Sequence, residues 1–100
     1  MVYLVSNNNK KIKVGYSANT RTWENRKSMY ITHNPDTQFI DIDINGDKDD
    51  ENALHMALYK FHYKNEWYYD CEEVRDIWEN YKKYTAQRAQ DMLDEIKNGD

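Results

Sequence analysis

From Val74 to Ile96 the chain holds helical spacing without a break. Val74, Ile77, Trp78, Tyr81, Tyr84, Thr85, Ala89, Met92, Leu93 and Ile96 recur at three- and four-residue intervals. Asp70, followed three residues later by Glu73, resembles a capping box that launches a helix reaching Lys97. At 1.5 Å per residue that helix is roughly 40 Å long. The whole chain has 100 residues, enough for one domain with a radius of gyration near ~13 Å. One helix therefore dictates much of the rest. Its near half, with Val74, Ile77, Trp78 and Tyr81, covers whatever precedes it. Its far half, from about Thr85, outruns the domain and either packs on a partner or frays. The expected division is a domain over residues 1–84 and an extension of the last helix over 85–100.

The chain is polar for a globular domain: 39% of its residues are hydrophobic and 32% charged. Fourteen per cent aromatic residues, nine of the side chains being Tyr, offset this with large buried area. That is too aromatic for a disordered chain of modest net charge. No apolar run approaches the roughly 20 residues of a membrane span, and no signal-peptide core follows Met1, so a soluble, cytoplasmic protein with no membrane contact is expected. Cys71 stands alone, which excludes an internal disulfide and a Cys-based zinc cluster, and reads as an inert thiol.

Strand and helix patterns alternate ahead of the long helix, giving an α+β chain. Val2–Val5 and Lys11–Tyr16, joined by Ser6-Asn7-Asn8-Asn9, form a β-hairpin. Asn19 or Thr20 caps a helix running to about Ile31, which Asn34-Pro35-Asp36 stops. Thr37–Ile44 alternates, with Ile40, Ile42 and Ile44 on one face and Phe39, Asp41 and Asp43 on the other. Asp49 or Asp50 opens a helix to about His62, with Ala53, Leu54, Ala57, Leu58 and Phe61 as its buried stripe. Residues 65–69, Asn-Glu-Trp-Tyr-Tyr, read as an edge strand.

The net charge of -4 argues against a general nucleic-acid coat protein, but the charge is unevenly spread. Residues 1–33 sum to +5 and residues 34–54 to -6. A basic segment beside an acidic one suits a phosphate contact next to a metal site, and equally the solvated faces of a small domain. Asp41-x-Asp43-x-Asn45-Gly46 matches the opening of a calcium loop. Asn52 at the twelfth position and Lys48 at the eighth break that pattern, and a half-buried strand running into an Asn-Gly turn explains the same letters. Glu51 and His55, spaced i and i+4, share one helix face, where they hold either one divalent ion or each other. His33 and His62 read as ordinary surface histidines.

A further set spans the chain: Val2-Tyr3-Leu4, Lys13-Val14-Gly15-Tyr16-Ser17 with Asn19, and Arg26 eight residues before Asn34-Pro35. Glu51-x-x-Leu54-His55 and Glu66-Trp67-Tyr68 complete it. In order and spacing this resembles the GIY-YIG nuclease superfamily, and in particular its small phage and fungal branch, in which Lys-Val-Gly replaces the YIG signature. The resemblance runs from Val2 to about Val74. It implies a small three-stranded antiparallel sheet flanked by helices, and a minimal metal-dependent DNA endonuclease of a phage or other mobile element, acting in the host cytoplasm.

Carried over by position, Tyr3 activates or orients the attacking water, and Lys13, standing for the second tyrosine, favours its phenolate. Arg26 clamps the scissile phosphate, with Arg21 a rival for that role. Glu51, with His55 beside it, holds one Mg²⁺ or Mn²⁺. Lys10, Lys11, Ser17, Arg21 and Lys27 are expected to contact DNA. Tyr30 stands four residues beyond Arg26 where many members have His, and Glu66 either borders the site or is an edge-strand acid. The alternative is a non-catalytic, nuclease-like protein that binds and modulates a host or defence protein. Under either reading the last helix offers a surface to a second copy or to another protein.

Overall fold

A computed structural model describes residues 1–33 and 35–98 of the chain. Its hairpin forms where the alternation places it, with β1 (Val2–Ser6) antiparallel to β2 (Lys11–Tyr16). Asn7 closes the turn, its Oδ1 accepting from the Asn9 and Lys11 amides at 3.0 and 3.1 Å, while Lys10 takes a positive φ of 58°. Helix α1 (Thr20–His33) follows, its first turn held by the Asn19 side chain, which accepts from the Thr22 amide. Strand β3 (Phe39–Asp43) returns antiparallel to β1 on the side away from β2.

Helix α2 (Lys48–Ala57) starts one or two residues earlier than the acidic run suggests. Asp47 is its cap, accepting from the Asp50 amide at 2.8 Å while the Asp50 carboxylate accepts from the Asp47 amide at 2.9 Å. It also ends early. Leu58 breaks the helix into a single 3₁₀ turn, Tyr59–Phe61, and His62–Lys64 becomes a strand, β4. A two-residue turn with Asn65 at φ 53° folds β4 onto β5 (Trp67–Tyr69), which pairs in turn with β2. The sheet therefore has five strands in the order β3-β1-β2-β5-β4 rather than three, and β5 is an inner strand, not an edge.

The strand alternation divides the interior in two. Val2, Leu4, Ile12, Val14 and Tyr68 face Leu54 and Leu58, together with Val74 and Trp78 of the last helix, α3 (Glu72–Asn98). Tyr3 and Val5 face the other way, against Trp23 and Tyr30 of α1 and Ile40 and Ile42 of β3. Ile44, past the end of β3, is exposed.

Asp41 and Asp43 lie on the α3 side of the sheet and are its anchors. Trp78 Nε1 and Lys82 Nζ donate to Asp41 Oδ2 at 2.8 and 2.7 Å, and Thr85 Oγ1 donates to the buried Asp43 carboxylate at 2.6 Å. The two acids that resembled a calcium loop are engaged with a helix instead. One turn further on, Arg88 grips Asp50 with two hydrogen bonds, at 2.9 and 2.6 Å, and reaches the Asn45 carbonyl. The packed part of α3 thus runs to Arg88, past the expected division at residue 84, and residues 90–98 are exposed. Asp70 does not cap this helix. It lies two residues ahead of the first turn, and Arg75 holds its carboxylate through two 2.8 Å bonds.

No helix among the described residues is long and apolar enough to cross a membrane.

Candidate active site

Tyr3 sits opposite Gly15 in the β1–β2 ladder, and its ring lies across that glycine. A Cβ at Gly15 would fall 2.3 Å from Tyr3 Cζ, so the missing side chain makes room for the ring. Trp23 flanks it with ring centroids 5.0 Å apart. The hydroxyl reaches out of this packing to two partners on α1. Arg26 Nη1 donates to it at 3.1 Å, and Tyr30 Oη lies 3.3 Å away. The same Arg26 nitrogen donates to the Tyr16 carbonyl at 3.0 Å, tying α1 to the end of β2.

Lys13 projects from β2 on the same face as Tyr3, two positions along the ladder. Its ammonium stands 5.5 Å from the Tyr30 ring centroid and 3.7 Å from a Glu66 carboxylate oxygen. Tyr3, Lys13, Arg26, Met29, Tyr30, His33 and Glu66 enclose an open cleft of about 340 Å³. On α1 the contributors Arg26, Met29, Tyr30 and His33 are spaced i, i+3, i+4 and i+7, one helical stripe. Arg26, not Arg21, is the arginine that meets Tyr3. Arg21 stands exposed in the first turn of α1, and Lys27 lies in a separate groove with Glu24 and Ile31.

Burial pushes the Tyr3 hydroxyl up to about 12, and the bond with Tyr30 acts in the same direction; the Arg26 guanidinium opposes both. The cation that acts on Tyr3 is Arg26, and burial outweighs it, while the Lys13 ammonium lies near Glu66.

Glu51 and His55 line a second cleft of about 450 Å³, with Lys48, Asn52, Tyr59, Tyr68 and Glu66 among its other walls. Glu66 belongs to both clefts. Glu51 is only 3% exposed, with Lys48 Nζ donating to Oε1 and His55 Nε2 3.9 Å from Oε2. The other ring nitrogen of His55, Nδ1, is hydrogen-bonded to the Tyr68 hydroxyl. Tyr16 links the clefts: its carbonyl accepts from Arg26, and its ring lies beneath Lys48 Nζ at 5.7 Å.

Among the described residues no group of three or more His, Cys, Asp or Glu is arranged to hold a metal. The donors present nevertheless suit one hard divalent cation. Glu51 supplies a carboxylate beside an imidazole in an open cleft, and the Lys48 ammonium that now neutralises it sits on a 62% exposed side chain that can swing aside. Magnesium commonly takes one or two carboxylates and completes its shell with water and substrate phosphate.

Like Arg21 and Lys27, the other three expected DNA contacts lie outside the two clefts. Ser17 is buried, its hydroxyl donating to the Asn19 carbonyl at 3.2 Å and its amide to the Met1 carbonyl at 2.8 Å, so it is a structural residue. Lys10 and Lys11 lie at the hairpin turn, and Lys11 packs against the Tyr63 and Tyr69 rings at 4.6 and 5.0 Å. Lys48 is a site neighbour that the sequence reading missed, and its i-3 position from Glu51 was the available signal.

No family model, no curated protein and no solved structure gives a significant match to this chain.

Proposed function

We propose that the protein is a minimal, metal-dependent DNA endonuclease that hydrolyses phosphodiester bonds. The observation that carries this reading is the convergence of Tyr3, Lys13 and Arg26, from two strands and a helix, on one cleft that shares Glu66 with the Glu51–His55 cleft. Arg26 meets a phosphate oxygen as a fixed, always-charged donor whose position Tyr3 and Tyr16 set. Tyr3, kept protonated by burial, orients the attacking water by hydrogen bonding instead of removing its proton. Lys13 adds positive charge beside the phosphate. Glu51, with His55 alongside, holds one Mg²⁺ or Mn²⁺, which supplies Lewis-acid stabilisation of the leaving oxygen.

The test is incubation of the purified chain with supercoiled plasmid and Mg²⁺ or Mn²⁺, with and without EDTA. Nicked or linear DNA in the metal lanes alone, lost in Glu51→Gln, is the expected outcome. Intact plasmid with both metals overturns the assignment.

A second reading is favoured by a separate observation. Met92, Leu93 and Ile96 are more than half exposed near the end of α3, as suits a nuclease-like fold that binds another protein without catalysis. Plasmid relaxation decides between the two.

A further inference from the structure

Helix α1 covers only part of its side of the sheet. The small core beneath it draws on β1 and β3, through Tyr3, Val5, Ile40 and Ile42. The β2–β5–β4 part of the same face carries cations paired directly across from aromatic rings: Lys13 opposite Trp67, and Lys11 opposite Tyr69. Tyr63 of β4 joins them, its ring edge-on to Tyr69 at 5.4 Å. Tyr63 and Tyr69 are 51% and 49% exposed. Lys11 lies over part of both rings, and among the described residues no helix covers the remainder, which stays open to water.

We propose that this face is a stacking platform for an unpaired nucleic-acid strand, which it leads into the Tyr3–Arg26 cleft. The inference deepens the endonuclease reading and rests on it for the fate of the strand, though not for the binding itself. Two properties select the occupant. The chain is acidic overall, yet the Lys11 ammonium lies among the exposed rings, and Lys13, with Glu66 as its partner, follows at the end nearer the cleft, which suits a polyanion better than a protein surface. Flat rings offered to solvent beside ammonium groups match bases and phosphates respectively, and only a strand whose bases are free of pairing can lay them on Tyr or Trp. A duplex presents phosphates to the lysines but leaves the rings without partners. The platform also has direction. Lys13 touches both the Tyr30 ring and Glu66, so the last cation of the platform is a wall of the cleft.

Binding is measured in EDTA, where metal-dependent cleavage cannot occur, as fluorescence anisotropy of a labelled mixed-sequence single-stranded DNA 12-mer against its duplex. The full chain should bind the single strand at least about tenfold more tightly than the duplex. Tyr63→Ala/Tyr69→Ala should lose about tenfold or more of the single-strand affinity, while Tyr63→Phe/Tyr69→Phe keeps it, because the ring and not the hydroxyl stacks. RNA of the same sequence binding equally well supports the platform too, since stacking does not read the sugar. Duplex bound as tightly as single strand, or an alanine variant that folds and binds like the parent, overturns the inference. Should the alanine variant fail to melt cooperatively, Lys11→Gln with Lys13→Gln serves instead, and unchanged affinity there is equally fatal. Intact plasmid beside strong single-strand binding removes the endonuclease and leaves the platform. Cut plasmid without single-strand preference does the reverse.

Discussion

An added methyl at Gly15 would fall 2.4 Å from the Tyr3 hydroxyl and nearer still to the ring, so the two residues constrain one another. Gly15→Ala should lower stability by about 1–3 kcal/mol through overpacking and dislodge the ring from Arg26. Combining it with Tyr3→Ala should restore part of that loss, because the clash needs both groups; strictly additive unfolding energies would show that they do not collide. The raised pKa of Tyr3 gives a second expectation. Its folded value exceeds the unfolded one, so its contribution to stability is complete below about pH 10 and disappears as pH rises through about 12. Denaturant unfolding at pH 8 and pH 11 should show a decline in the parent that is smaller in Tyr3→Phe. If the Tyr3 proton stays in place, cleavage between pH 7 and 10 should show no inflection that vanishes in Tyr3→Phe. Such an inflection would restore the phenolate as base.

At the scale of elements, α3 is fastened to the sheet by polar contacts as much as by its apolar stripe. Arg88 holds the Asp50 carboxylate below the usual range, against the opposing effect of burial. That stabilisation is present above about pH 4 and is lost as pH falls through the depressed native value. Asp50→Asn should therefore cost about 1–2 kcal/mol at pH 7, and the gap from the parent in urea melts should close in acid. A gap that persists unchanged at pH 2 would assign the effect to the helix cap alone. Much of this architecture is legible in the residues. The hairpin, α1, β3 and the long helix all follow from period and turn chemistry. His62–Lys64 is different, because three exposed residues carry no alternation and lie next to a helical stripe. Only the stop at Leu58 and the turn at Asn65 turn them into a strand. Asp41 and Asp43 mislead for a related reason: their partners, Trp78, Lys82 and Thr85, are about forty residues away, beyond any local pattern. For the candidate site, the resemblance suggested Tyr3, Lys13 and Arg26, and helical spacing suggested Glu51 with His55, but neither revealed the pairing of Lys13 with Glu66. That pairing depends on β5 lying beside β2.

The whole molecule is elongated, 51 by 30 by 18 Å, with a radius of gyration of 14.7 Å, against roughly 13 Å for a compact chain of this length. The excess reflects the end of α3, where Met92, Leu93 and Ile96 point away from the body into solvent. Truncation after Tyr84 removes Thr85 and Arg88 with their bonds to Asp43 and Asp50, and should lower the melting temperature markedly. Truncation after Gln90 should leave it nearly unchanged. If the exposed stripe mediates self-association, light scattering should show a dimer for the full chain and a monomer for the shorter one. Monomers throughout would leave the stripe to a different protein.

The anchoring of α3 also changes what a polyanion close to the surface would sense. Residues 34–54 count as -6 on paper, yet Asp41, Asp50 and Glu51 are each matched by a cation, and Asp43 is buried against Thr85. Of that segment's acids only Asp36, Asp47 and Asp49 lie open to solvent, as do Lys10, Arg21 and Arg26 among the cations of residues 1–33. Pairing leaves the net charge of -4 intact at long range, but within a Debye length this segment repels a nucleic acid less than its formal sum suggests.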